Sequence, residues 1–243
     1  MQLTAVLETQ GLRKSFGGVL VIDDLSISVQ RGEALGIVGP NGAGKTTWFN
    51  LVTGAVHADA GKVIFEGKDI THLSRHGRCR LGIGRTFQIP KPFSGMTVFE
   101  NLLVGATHGR GKSERASYDR CVEILETTGL LKKANVVAGM LTLLDRKRLE
   151  LARALATEPS LLLMDEIAGG LTEAEVEELI GEIKKLRETG ITIIWIEHIV
   201  HALLAVVDRI LVIQFGRELC QGDPREVMNS QEVQACYMGG TPA

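Results

Sequence analysis

Apolar residues fall in short continuous runs at Ala34-Leu35-Gly36-Ile37-Val38, Leu161-Leu162-Leu163-Met164 and Ile191-Thr192-Ile193-Ile194-Trp195-Ile196. Runs this short, without polar alternation, predict strands buried on both faces, as in a parallel sheet. Between them the period lengthens. Lys45 to Leu51 predicts a helix directly behind the first run. Thr172-x-x-Glu175 is a capping box, opening a helix with Val176, Leu179, Ile180, Ile183 and Leu186 on its inner face. Strand–helix–strand alternation then continues to Leu211-Val212-Ile213. Nearer the N-terminus, Leu3 to Val29 and Gly61 to Glu66 read as strands of an antiparallel lobe, with partial alternation in Lys62-Val63-Ile64-Phe65. From about Ile89 to Ala138 the pattern is helical, with Tyr118, Cys121, Val122 and Leu125 spaced along one helix face. The breaker cluster Ile89-Pro90-Lys91-Pro92-Phe93-Ser94-Gly95 opens this stretch. The expected class is α/β. A mostly parallel sheet is joined by an N-terminal antiparallel β lobe and an inserted helical lobe over about residues 89–157, all in a single domain spanning 1–243.

Composition supports one such domain, since hydrophobic residues make up 44% of the 243. The 27 basic and 29 acidic residues give a net charge of −2, which argues against a general nucleic-acid binder. No apolar run approaches the roughly 20 residues of a membrane helix. The N-terminus lacks a secretory pattern. Cys79, Cys121, Cys220 and Cys236 are scattered without C-x-x-C spacing and read as reduced thiols of a cytosolic protein.

The chemistry starts between the first strand and its helix. Gly39-Pro40-Asn41-Gly42-Ala43-Gly44-Lys45-Thr46-Thr47 fits the phosphate-loop pattern G-x-x-x-x-G-K-[ST]. Its glycines let the backbone wrap around phosphates. The loop N–H groups, the helix N-terminus and the Lys45 ammonium then face one anion. The Thr46 hydroxyl suits a magnesium ion. The second apolar strand ends in Asp165-Glu166, at the strand edge where ligands sit in open α/β sheets. Asp165 suits Mg²⁺, directly or through water, and Glu166 suits polarisation of an attacking water. The alternative is that the two acids only cap the next turn. The third strand ends in Glu197-His198, where a histidine can reach a γ-phosphate or simply stand exposed.

With these elements in order, the chain resembles an ABC-type ATP-binding subunit, a phosphate-loop ATPase, from Leu7 to Gly240. The likeness rests on GPNGAGKTT, on Gln88 in Arg85-Thr86-Phe87-Gln88, on LLLMDE and on Glu197-His198. It implies that ATP and Mg²⁺ bind, that Gln88 contacts Mg²⁺ or the attacking water and relays to a membrane partner, and that His198 contacts the γ-phosphate. It also implies that Phe16 stacks on adenine; the alternative for Phe16 is a core aromatic. Gly82 to Gln88, Met96 to Leu102, and the end from Gly222 to Gly239 look narrower still, like the longer of the two ATPase subunits of branched-chain amino-acid importers. That resemblance implies integral-membrane permease subunits, a second ATPase subunit, indirectly a solute-binding protein, and a place on the cytoplasmic face of the membrane.

The chain departs from the family at the signature peptide, ordinarily Leu-Ser-Gly-Gly-Gln. Aligned through the similar helix Arg148 to Leu155, it reads Leu141-Thr142-Leu143-Leu144-Asp145. Thr142 keeps a hydroxyl, but leucines replace both glycines. Asp145 would repel a triphosphate, or else serve as N-cap of a helix from Arg146 to Ala156. Ile167 stands where the family has Pro, and Thr172 where it has Asp or Asn. The leading expectation is an ATP-hydrolysing motor of an importer. The competing ones are a weakly hydrolysing ATP-binding subunit and a soluble non-transport ABC ATPase.

Overall fold

A computed structural model describes residues 5–109 and 111–238. The expected strand start at Leu3 and the terminal resemblance at Gly239 and Gly240 lie outside the described residues. In chain order the strands are β1 (Ala5–Phe16), β2 (Val19–Gln30), β3 (Ala34–Val38), β4 (Ala60–Phe65), β5 (Lys68–Asp69), β6 (Ile83–Arg85), β7 (Leu161–Asp165), β8 (Thr192–Ile196), β9 (Arg209–Gln214) and β10 (Arg217–Gly222). The helices are α1 (Lys45–Val52), α2 (Arg75–Leu81), α3 (Val98–Gly109), α4 (Glu114–Thr127), α5 (Leu143–Ala156), α6 (Glu173–Glu188), α7 (Val200–Val206), α8 (Pro224–Asn229) and α9 (Gln231–Met238). They form two compact units. One holds the chain up to Arg78 and from Thr192 onward, and the other holds Cys79–Ile191.

In the first unit, β1 pairs antiparallel with β2 and β4, and β4 with β5, giving the expected antiparallel lobe. β3 lies parallel between β8 and β9, and β10 closes antiparallel on β9. All five residues of β3 and of β8 are buried, which is why both read as unbroken apolar runs. Helix α1 follows β3 and carries the fully buried Trp48 and Phe49. The last carbonyls of a helix lack partners within it. Arg78, 1% exposed, reaches across and donates to the carbonyls of Leu51 at 2.6 Å and Val52 at 2.8 Å. A cation at a helix C-terminus also opposes the dipole. The same guanidinium ties Thr71 and Leu73, so α1 is anchored at the end away from the phosphate loop.

In the second unit, β6 and β7 pair in parallel, with Ile83 opposite Leu161 and Arg85 opposite Leu163. The breaker cluster has no regular structure. Buried Asn101 holds it, accepting from the Phe93 N–H at 2.9 Å and donating to the Phe93 and Thr97 carbonyls. The capping box on α6 is present, and its five expected inner residues are buried. Two expectations are corrected. The buried face of α4 runs through Ser117, Cys121, Ile124 and Leu125, whereas Tyr118 and Val122 are exposed. The Tyr118 ring instead lies edge-on to Phe99 at 5.4 Å, a contact open to solvent on its far side.

The second correction concerns Asp145, which is not an N-cap. Helix α5 starts earlier, at Leu143, with Thr142 as cap and its hydroxyl accepting from the Asp145 N–H at 3.3 Å. Thr142-x-x-Asp145 is itself a capping pattern, and two leucines are good helix formers, so the helix extends back over them.

Candidate active site

The first unit supplies the phosphate loop. Between β3 and α1 the chain passes through Gly39, Gly42 and Gly44 with φ of +148°, +80° and +104°. A Cβ at Gly39 would meet the Ile213 carbonyl oxygen at 2.1 Å, and one at Gly44 would meet Val21 O and Ile22 Cδ1 at 2.8 Å. Only glycine fits there. Around Gly42 there is open space, and Asn41, Gly42 and Thr46 are exposed. Helix α1 has no side-chain cap on Gly44 and no acid in its first turn, so its N-terminal dipole is left for an anion. The Lys45 ammonium, 6% exposed, folds over the loop and donates to Gly39 O at 2.6 Å and Pro40 O at 2.9 Å. A buried ammonium, an uncapped helix and a glycine-only cradle together fit a phosphate group.

Three further residues of this unit bear on the site. His198 is exposed beyond β8, and its N–H donates to the buried Glu197 carboxylate at 2.8 Å. Phe16 is 48% exposed at the end of β1, so it is not a core aromatic; the Lys14 ammonium lies 5.5 Å from its ring centroid. Tyr237, on α9, was not singled out from sequence. Its phenol oxygen accepts from the Gly39 N–H at 2.9 Å, and burial raises its pKa. Cys236 beside it is raised by burial too, with the Lys45 charge opposing.

The second unit supplies carboxylates. Asp165 ends β7 at 4% exposure, and Glu166 follows with φ +46°, a left-handed conformation uncommon for a side-chain-bearing residue. The next helix is capped by Thr172. Arg85 at the end of β6 forms a 2.8 Å ion pair with Asp165, both side chains under 10% exposed. The Gln88 amide donates to the Glu166 carboxylate at 2.5 Å. Lys147 on α5 donates to the Gln88 carbonyl at 2.7 Å and the Glu166 carbonyl at 3.4 Å. Arg85 and Lys147 escaped the sequence reading because only the fold brings them to these partners.

The signature-aligned residues are divided. Thr142 and Leu143 face solvent, and Leu143 is 44% exposed; Leu141, Leu144 and Asp145 are buried. Asp145 points inward, paired with Lys133, with Arg148 at 3.7 Å, and accepting from the Thr142 hydroxyl at 2.9 Å. Its carboxylate is therefore satisfied inside the unit.

Metal chemistry is constrained by the donor set. Among the described residues no group of three or more His, Cys, Asp or Glu could hold a metal. Within the second unit a carboxylate and an amide, from Asp165 and Gln88, are the oxygen-donor types that hard cations take.

Comparison with known proteins bears on the same residues. The ABC transporter family model matches residues 22–169. The chain is 35% identical to the high-affinity branched-chain amino acid transport ATP-binding protein BraF of Pseudomonas aeruginosa, over 96% of this chain and 98% of that one. It is 36% identical to a probable branched-chain amino acid transport ATP-binding protein, LivG, of Archaeoglobus fulgidus, over 96% and 95%. A nucleotide-free ATP-binding cassette from an ABC transporter superposes with a TM-score of 0.89 at 33% identity, covering 96% of this chain and 99% of that one. The ADP conformation of an ATP-binding cassette of an ABC transporter gives the same score and identity, covering 97% and 99%. The phosphate loop between β3 and α1 and the acid pair ending β7 thus belong to a member of the ABC transporter family, a nucleotide-binding ATPase subunit homologous to those of branched-chain amino-acid importers.

Proposed function

We propose that this chain is the Mg²⁺-dependent ATPase motor of an importer for branched-chain amino acids or a related small polar solute, seated on the cytoplasmic face of a permease. The observation that carries this reading is the 35% and 36% identity, over 96% of this chain, to relatives named for branched-chain amino-acid transport. The site residues support it. Lys45 and the loop from Gly39 to Thr47 bind the phosphates of ATP, and Phe16 stacks on the base. Thr46 in one unit and Asp165 and Gln88 in the other would each offer an oxygen to Mg²⁺, which would supply positive charge against the phosphates. Glu166 accepts the proton of the attacking water, and His198 contacts the γ-phosphate. Gln88 donates to one oxygen of the Glu166 carboxylate at 2.5 Å, which holds the base beside the Gln88 amide.

A permease contact is supported by Phe87, Ile89 and Phe93, which are 44%, 69% and 44% exposed around Gln88. No helix among the described residues is long and apolar enough to cross a membrane, so a transport role needs partner subunits. A second reading, slow hydrolysis at the site the signature serves, is favoured by one observation. Leu143 stands exposed where the family offers a glycine backbone. Opposite a second ATPase subunit with an ordinary signature, this chain's own ATP would meet good donors, and the partner's would not. The test is ATP-driven leucine uptake by proteoliposomes holding the complex that co-purifies with this chain. Accumulation against a gradient is expected. A complex without any membrane subunit, or none that moves a small solute, overturns the reading.

A further inference from the structure

Lys147 is a buried cation for which the phosphate chemistry gives no task. It sits one turn into α5 at 3% exposure, in the same helix that begins with the altered signature. A buried ammonium must be bonded or it destabilises the fold. Its bonds reach two main-chain carbonyls that are far apart in sequence, Gln88 O at 2.7 Å and Glu166 O at 3.4 Å. Those are the two residues whose side chains meet at 2.5 Å. Glu166 is also the residue held at φ +46°, where an L-residue is sterically penalised unless its surroundings fix it. Besides Lys147, its carbonyl accepts from the Gly169 N–H at 3.3 Å. One side chain therefore bonds the loop after β6, the strained residue after β7 and the start of α5. Beside it lies an open cleft of about 440 Å³ lined by Gln88, Ile89, Pro90, Leu143, Gly169 and Gly170, together with Lys147 itself. The cleft leaves these loops room to shift.

We propose that Lys147 is a positioning residue for hydrolysis. Its ammonium fixes the Glu166 backbone and the Gln88 loop to α5, so that a displacement of the signature end of that helix reorients the water-polarising carboxylate. This rests on the roles assigned above to Glu166 and Gln88. A lysine that only filled space would support folding and ATP binding together. A positioning lysine affects the chemical step and leaves nucleotide affinity unchanged.

The experiment uses the full chain in its native transporter complex, as wild type, Lys147→Met, Lys147→Ala and Glu166→Gln. It reads kcat and KM for ATP, binding of a fluorescent ATP analogue, and the thermal midpoint. Lys147→Met is expected to lower kcat at least about 30-fold, with KM and analogue affinity within about twofold; a misplacement of about 1 Å can cost on the order of 100-fold. Ethylammonium is small enough for the cleft and should restore part of the kcat of Lys147→Ala, whereas ethanol at the same concentration should not. Should the alanine variant not fold, the isosteric methionine variant carries the test. A kcat of Lys147→Met within threefold of wild type overturns the proposal, as do parallel losses of kcat and ATP affinity. Glu166→Gln separates the two readings. If it turns over normally, the role of Glu166 has failed. If it is inactive while Lys147→Met is not, only Lys147 has been misassigned.

Discussion

Asp145 is where the sequence and the structure give opposite signs, and replacing it measures which is right. Asp145 is 2% exposed, paired with Lys133 and near Arg148, and bonded reciprocally to the Thr142 cap. Removing one member of a fully buried pair costs about 3–5 kcal/mol. That is an upper bound here, because the Lys133 side chain is 44% exposed and re-hydrates, and Arg148 keeps Glu178 and Glu182 at 2.8 Å. What remains is a charged hydrogen bond, about 1.5–3 kcal/mol. A value of about 2 kcal/mol corresponds to a fall of roughly 4–8 °C in thermal midpoint for a chain of this size. Circular dichroism melts of Asp145→Ala and Asp145→Asn provide the assay, and the asparagine, which keeps the bond to Thr142, should lose about half as much. The ATPase rate is the second reading. Because the carboxylate is turned inward, Asp145→Asn should change turnover less than about twofold. A midpoint within 1 °C of wild type, or a tenfold rise in turnover on removing the charge, would refute the inward-paired account and restore repulsion of the triphosphate.

Three other outcomes are expected. Lys45→Ala should weaken ATP binding about 10- to 150-fold, the loss of a charged hydrogen bond of about 1.5–3 kcal/mol, as isothermal titration would register; unchanged affinity would mean that phosphate does not sit against this ammonium. Leu143→Gly should raise the ATPase rate of the isolated chain if the exposed leucine obstructs the opposite nucleotide, and no change would show that main-chain donors and Thr142 suffice. Glu150, buried in α5, has its pKa raised from 4.5 by desolvation, with Arg153 and the N–H groups of Lys91 and Phe87 opposing only in part. The folded state holds this proton more tightly than the unfolded state, so the group favours the fold below pH 4.5 and withdraws that support as pH rises through its folded value. Glu150→Gln should therefore benefit the midpoint more at pH 7 than at pH 4, and the reverse order would contradict the sign.

The central strands were legible because burial on both faces leaves one chemical option, a run of apolar residues, and β3, β7 and β8 obey it. The phosphate loop was legible because its geometry admits only glycine at Gly39 and Gly44. The capping box of α6 needs no tertiary knowledge and appears as written. Helix α4 was misjudged by part of a turn, since Val122 and Ile124 are equally apolar and only packing decides which is covered. Asp145 was misjudged because a local pattern permits two helix starts, and Lys133, twelve positions upstream, helps hold the inner arrangement. Arg85, Lys147 and Tyr237 were silent for one reason. Their partners Asp165, Gln88 and Gly39 stand far off in sequence, and no periodicity encodes such pairs.

The central claim is that this chain turns over ATP through Glu166, and the direct measurement is steady-state hydrolysis by the assembled transporter carrying Glu166→Gln, with nucleotide occupancy measured on the same sample. General-base assistance contributes about 10²- to 10⁴-fold, so turnover should fall at least about 100-fold while ATP stays bound. Turnover within threefold of wild type at equal occupancy would contradict the account.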